Sequence, residues 1–163
     1  MLTGKADRIR TLTIGHTPDM DDAFMFYGLA SGGVSSNGFR IEHVVQDIQT
    51  LNQRSLQAEL DMTAVSAALY PAVADRYWIL SVGSSVGQGY GPLVISKTPH
   101  SPEELAGRRI AVPGRHTTAY LLLRLALPQF EPVELAFEQI PDAVLRGEVE
   151  AGLVIHEWQL TYR

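Results

Sequence analysis

The sequence contains no cysteine. Its absence excludes disulfide bonds and thiolate metal sites, and it suits a reducing compartment. The net charge of −5 and the lack of a basic run give no electrostatic reason to expect binding to nucleic acid or to an anionic membrane. No stretch approaches the ~20 apolar residues of a membrane span, and residues 1–10 lack the apolar segment of a secretory signal. We therefore expect a soluble cytoplasmic protein.

Strand and helix patterns alternate along the whole chain. This alternation predicts an α/β fold with a parallel or mixed sheet and helices on both of its faces. The predicted strands are residues 11–14, 39–45, 62–65, 78–82, 93–96, 109–112, 133–137 and 149–155. Helices are predicted after Thr17, Asp47, Ser101 and Thr117, and at residues 67–74 and 141–146. A strand, a linker and a capped helix at 93–104 mark a boundary, so we predict lobe one at 10–92 and lobe two at 93–163.

Two stretches share the order of helix end, acidic residue, short apolar strand and polar residue. Residues 59–66 end at Ser66, and residues 147–157 place His156 after a strand. Ligands of open α/β sheets bind beyond the carboxyl ends of strands, so the two stretches suggest similar lobes that face one cleft. His156 is a titratable side chain at such a strand end, which makes it the candidate for the chemistry. An imidazole is half neutral near pH ~6.5, so a free base is available at neutral pH. Spacing alone favours the plainer interpretation, a histidine that only hydrogen-bonds a loop.

The pair Thr117-Thr118 begins a predicted helix directly after a strand. A helix start offers free backbone N–H groups and a positive dipole, which favour a carboxylate or phosphate, and two hydroxyl groups add donors. Threonine is equally a common N-cap residue. The residues alone leave anion binding and simple capping equally open.

Acidic residues cluster where the first predicted helix begins: Asp19, Asp21 and Asp22. They could form a metal or cation site, but acidic first turns commonly complement the helix dipole, and we favour that interpretation. His16 ends the preceding strand and could line a cleft or hydrogen-bond the turn.

The loop at residues 83–92 is rich in glycine and contains Tyr90. It lacks the lysine and hydroxyl ending of a P-loop and the spacing of a dinucleotide-binding loop. We therefore expect a loop at a hinge or lining a cleft.

Longer motifs carry a family resemblance: GHTPDMDDAFMF at 15–26, DIQTLN at 47–52, GYGP at 89–92, TTAY at 117–120 and IHEWQLTY at 155–162. From about Thr11 to the last residue, the sequence resembles the 1,4-dihydroxy-6-naphthoate synthases. These enzymes process cyclic dehypoxanthine futalosine on the futalosine route to menaquinone.

The resemblance implies a two-lobed fold similar to type II periplasmic binding proteins, with the substrate between the lobes. It implies no metal and no organic cofactor. It makes His156 the general base of a lyase and places Ser66, Thr118 and Ala119 in the pocket, where the threonine segment holds a polar or carboxylate part of the substrate. Loss of a proton would let the sugar-derived portion leave and the fused ring become aromatic.

Some features depart from the family pattern. Arg115 and His116 stand where less basic residues are expected, and Trp158 stands where a small residue is expected. Family members are longer, so we expect lobe two to be incomplete at its C-terminal end, which would leave apolar surface that favours oligomers. Two alternatives remain open, a non-catalytic protein that binds small carboxylates on the same fold and the related chorismate dehydratase. The motif at 155–162 favours the synthase over the dehydratase.

Overall fold

The computed structural model describes residues 9–155 and confirms the α/β class. The chain divides into two compact units, Met1–Ala64 and Val65–Arg163. Residues 65–92, which the sequence places in lobe one, cluster with the second unit, and the predicted lobe boundary stays a prediction. Within residues 9–155, no helix has the length and apolar character needed to cross a bilayer.

The first unit is built on a three-stranded parallel sheet in the order β2-β1-β3. Its elements in chain order are β1 (Arg10–His16), α1 (Met20–Ala30), β2 (Phe39–Val45), α2 (Ile48–Leu56) and β3 (Met62–Thr63). The buried core includes Ile14, Leu51 and Leu60. Asp61 fastens the start of β3 to β1, because its carboxylate accepts hydrogen bonds of 2.8 Å from both the N–H and the hydroxyl of Thr13. These hydrogen bonds lower the pKa of Asp61.

The second unit contains a mixed four-stranded sheet in the order β4-β7-β5-β6, in which β4 runs antiparallel to β7. Its elements are β4 (Leu93–Ser96), β5 (Arg109–Val112), α3 (Thr118–Ala126), β6 (Glu131–Glu134), α4 (Ile140–Arg146) and β7 (Ala151–Val154). Side chains alternate along β5, so Ile110 and Val112 join the core against α3, while Ala111 joins the core against α4. Helices therefore cover both faces of this sheet, as the sequence predicts.

Three local signals in the sequence form as expected. Asp47 caps α2 by accepting from the N–H of Thr50 at 2.9 Å. Thr117 caps α3 by accepting from the N–H of Tyr120 at 3.2 Å. Gly147 ends α4 in the left-handed conformation with φ of 72°, which glycine adopts without steric cost.

The predicted start of the first helix at Thr17 is wrong, because α1 begins at Met20 with Asp19 as the flanking residue. Thr17 instead donates from its N–H (2.6 Å) and its hydroxyl (2.9 Å) to the buried carboxylate of Asp22. Asp22 thus closes the turn between β1 and α1.

The predicted helix at 67–74 is also wrong, since only a short 3₁₀ turn, Tyr70–Ala72, forms there. Pro71 lacks the N–H that an α-helix interior needs, and its ring obstructs the preceding turn. The predicted strand at 78–82 is likewise irregular, and its apolar side chains are exposed, with Trp78 at 92%. Ser101 and Glu104 exchange the reciprocal hydrogen bonds of a capping box, yet a turn rather than a helix follows them.

Candidate functional site

The loop between β5 and α3 brings Thr117 to the carboxyl edge of the second sheet. Thr117 is buried, and its hydroxyl donates to the carbonyl of Gly114 at 2.7 Å while accepting from the N–H of Tyr120. Its own N–H donates to the same Gly114 carbonyl at 3.3 Å. Both protons of Thr117 are therefore used inside the turn, so in this arrangement Thr117 holds the helix start and has no proton to donate to a ligand.

Thr118 differs from its neighbour, because its hydroxyl oxygen accepts from the N–H of Ala68 at 3.2 Å. A hydroxyl that accepts keeps its proton for donation to another group. The backbone N–H groups of Thr118 and Ala119 have no partner inside the helix, since the first N–H groups of an α-helix never do. The side chain of Ala119 packs in the core with Leu123, so only its backbone N–H could serve a ligand. These donors make the start of α3 suitable for an anion.

Ser66 lies in the segment that meets the start of α3. Its carbonyl accepts from the N–H groups of Leu69 (2.9 Å) and Tyr70 (3.3 Å), which turns the chain so that Ala68 reaches Thr118. The structure thus brings the segment of Ser66 close to Thr118. Sequence reasoning missed Ala68, because a backbone contact between distant segments leaves no signal in residue type.

His156, the candidate base, lies outside the described residues 9–155. The described chain reaches Ile155, which is partly buried and packs against the core cluster that contains Ala119 and Leu123. The role of His156 stays a prediction.

Arg115 precedes the turn and is bonded to β6. Its Nε donates to Glu134 Oε1 at 2.9 Å, and its Nη2 donates to the carbonyl of Pro132 at 3.3 Å. Arg115 stands where the family pattern has a less basic residue, but its guanidinium is already paired with the carboxylate of Glu134. The next residue, His116, is half-buried.

His16 lies at the end of β1 in the first unit and is buried. Its Nδ1 lies 3.1 Å from the carbonyl oxygen of Thr17, and its Nε2 lies 3.1 Å from Nδ1 of His43. The ring of Phe26 stacks on it at a centroid distance of 4.7 Å. His16 therefore hydrogen-bonds the turn that follows β1, which is one of the two roles predicted from the sequence. The other role, lining a cleft, stays a prediction. The partnership with His43 was not expected.

Tyr90 is 69% exposed in the glycine-rich loop, and its place in a cleft is likewise still a prediction. Among residues 9–155, no group of three or more His, Asp or Glu side chains could hold a metal ion. Asp22, one of the three candidate cation ligands, is instead bonded to Thr17.

An open cavity of about 550 Å³ lies at the opposite edge of the second sheet, between the end of β4 and the starts of β5 and β7. Its lining residues include Lys97, His100, Arg109 and Glu150. Ligands of α/β sheets bind at the carboxyl ends of parallel strands, so the start of α3 is the stronger candidate site despite the size of this cavity.

Comparisons with known proteins agree with the motifs. A family model described as "Menaquinone biosynthesis" matches residues 12–163. A 1,4-dihydroxy-6-naphthoate synthase of Thermus thermophilus is 46% identical over 154 residues, covering 94% of this chain and 56% of that enzyme. A Streptomyces coelicolor enzyme of the same name is 38% identical over 159 residues, covering 94% of this chain and 55% of the enzyme. The chain thus spans a little over half the length of these relatives.

Solved structures show the fold. A crystal structure of an Archaeoglobus fulgidus protein is 55% identical with a TM-score of 0.87, covering 93% of this chain and 56% of that one. The alkanesulfonate-binding protein of Xanthomonas axonopodis is 15% identical with a TM-score of 0.66, covering 94% and 57%. This likeness shows a fold of the periplasmic binding protein type. Because the family model covers nearly the whole sequence, the chain belongs to the menaquinone biosynthesis family.

Proposed function

We propose that this chain acts in the conversion of cyclic dehypoxanthine futalosine to 1,4-dihydroxy-6-naphthoate, with His156 as the general base. The observation that supports this most directly is the start of α3, where the hydroxyl of Thr118 accepts from Ala68 in the segment of Ser66 and the first backbone N–H groups of the helix are free of intrahelical partners. The core cluster of α3 also packs against Ile155, which directly precedes His156 in the chain.

The start of α3 would bind the carboxylate of the substrate. Two backbone N–H groups and the positive end of the helix dipole favour a carboxylate there. The hydroxyl of Thr118 can add a third hydrogen bond, because its oxygen already accepts from Ala68 and its proton remains to donate. Hydrogen bonds to a charged acceptor are stronger than neutral ones.

His156 would remove a proton from the bound substrate. The proton passes to the imidazole, the electron pair of the broken C–H bond forms a double bond of the ring system, and the sugar-derived portion leaves with the electron pair of the bond that held it. A neutral imidazole is present at neutral pH, and a positioned general base contributes roughly 10²–10⁴-fold to the rate. Aromatisation of the ring supplies driving force, so we propose that the reaction needs no metal and no organic cofactor. The cytoplasmic location and an oligomeric state stay predictions.

The test is to incubate the purified chain with cyclic dehypoxanthine futalosine and to measure naphthoate by chromatography. We expect product from the parent chain, and we expect His156→Asn to lower turnover by at least about 10²-fold while the affinity for product stays similar. His100→Asn is a matched control, because His100 pairs with Glu150 at the opposite edge of the sheet. Either a folded chain that makes no naphthoate or a fully active His156→Asn variant would contradict the proposal.

A second function fits the same helix start, namely the binding of small carboxylates without catalysis. The backbone N–H groups of Thr118 and Ala119 and the hydroxyl of Thr118 would bind an anion whether or not a reaction follows. This alternative predicts that carboxylates stabilise the chain, that no naphthoate forms, and that replacing His156 changes nothing.

A further inference from the structure

The side chain of Glu134 hydrogen-bonds the loop that leads into α3 to the neighbouring strand β6. Glu134, the last residue of β6, accepts from the backbone N–H of Arg115 at 3.2 Å through Oε2 and from the Arg115 Nε at 2.9 Å through Oε1. The guanidinium also donates to the carbonyl of Pro132 at 3.3 Å. Both the backbone and the side chain of Arg115 are therefore fixed to β6.

This attachment lies next to the turn that presents the candidate anion donors. Arg115 directly follows Gly114, whose carbonyl accepts from both the N–H and the hydroxyl of Thr117. Thr117 in turn caps α3 and so sets the direction of the N–H groups of Thr118 and Ala119. If Arg115 moved, Gly114 and Thr117 would move with it, and the N–H groups of Thr118 and Ala119 would change direction.

We propose that Glu134 is a positioning residue, which acts through Arg115 to hold the start of α3 in the geometry that receives the substrate carboxylate. This inference rests on the proposed function of that site. It assigns Arg115 a structural part rather than contact with the anion, because the carboxylate of Glu134 already balances the guanidinium charge.

The opposite idea is that Arg115 itself is the anion ligand. The two ideas predict opposite results for Glu134→Gln. If Arg115 binds the anion, removal of the Glu134 charge frees the guanidinium and strengthens binding. If Glu134 positions the loop, the glutamine keeps one acceptor oxygen but turns an NH₂ group toward the second donor, so the loop loosens and binding weakens.

The experiment measures KM and kcat for cyclic dehypoxanthine futalosine and the Kd of 1,4-dihydroxy-6-naphthoate in the full chain. We expect Glu134→Gln to raise KM and Kd by about three- to tenfold with little change in kcat, because an exposed charged pair contributes modestly. Arg115→Ala should have a smaller effect, since its backbone N–H still reaches Glu134. Glu148→Gln is the matched control, because it breaks a similarly exposed carboxylate–arginine pair with Arg146 and should leave KM unchanged.

Hydrogen exchange read by mass spectrometry tests the positioning role without relying on turnover. We expect Glu134→Gln to speed exchange in residues 113–120 and to leave residues 140–146 unchanged. Unchanged exchange at 113–120, or tighter binding of naphthoate by the variant, would overturn the inference. A parent chain that makes no naphthoate would instead contradict the proposed function, and faster exchange in the variant would still support the positioning role.

Discussion

At the scale of single residues, His16 and His43 of the first unit lie within hydrogen-bonding distance of each other. When both rings are neutral, the carbonyl of Thr17 can only accept, so His16 donates from Nδ1, and its Nε2 accepts from Nδ1 of His43. Nε2 of His43 then carries a lone pair. That nitrogen is buried and has no hydrogen-bond partner among the described residues. Burial lowers the pKa of His43, and the positive charge of a protonated His16 lowers it further.

The lowered pKa of His43 makes stability depend on pH with a defined sign. The unfolded chain takes up a proton on His43 below pH ~6.5, whereas the folded chain resists it down to its lower pKa. Stability is therefore full above that range and falls as the pH drops through it. We expect His43→Gln to reduce the loss of Tm between pH 8 and pH 5 by roughly 2–4 °C, as measured by circular dichroism. An equal loss in both proteins would show that the pair is not responsible.

At the scale of elements, the packing of α4 on β7 depends on the absence of a side chain at Gly152. A Cβ atom there would lie 2.9 Å from Cγ2 of Val144 and still closer to Cγ2 of Ile140. Both contacts are side chains of α4 in the core, so the helix would have to move. We expect Gly152→Ala to lower the free energy of unfolding by about 1–3 kcal/mol, measured by urea denaturation.

The control for Gly152→Ala is Gly91→Ala, because a Cβ atom at Gly91 meets nothing within 4 Å. Its midpoint in urea should stay near that of the parent chain. Equal midpoints for the two variants would show that α4 adapts to the added methyl group without cost.

Elements whose bounds are marked by neighbouring residues, such as an N-cap or a clear end of an apolar run, were predictable from the sequence. The strands at 39–45 and 93–96 have the expected bounds, and the caps at Asp47 and Thr117 form as expected. The segments at 67–74 and 78–82 were not, because their apolar residues suit several structures. In the first segment Pro71 prevents a regular helix, and the second has no strand partner within the described part of the chain. The apolar composition of 78–82 suggests burial, yet these side chains are exposed, because whether such a segment forms a strand depends on tertiary pairing.

At the scale of the whole molecule, the sequence predicted the fold class and the family, whose motifs extend over most of the chain. It could also identify the start of α3, because Thr117 carries a cap signal. It could not separate the roles of Thr117 and Thr118, since their hydroxyl groups are chemically alike and differ only in their partners. Nor could it show that Arg115 is bonded to Glu134, because that contact joins the loop after β5 to the end of β6, which are distant in the sequence.

Binding of a carboxylate at α3 should stabilise the whole chain by mass action. A ligand present at 100 times its Kd adds about 2.7 kcal/mol to the free energy of unfolding, which corresponds to a rise in Tm of roughly 5–10 °C for a protein of this size. We expect this rise with 1,4-dihydroxy-6-naphthoate and little rise with 1,4-dihydroxynaphthalene, which lacks the carboxylate but keeps the rings. Thr118→Val removes one hydroxyl and leaves the two backbone N–H groups, so it should reduce the rise without abolishing it. Differential scanning fluorimetry measures the shift, and an equal rise with both ligands would show that the rings, rather than the start of α3, account for binding.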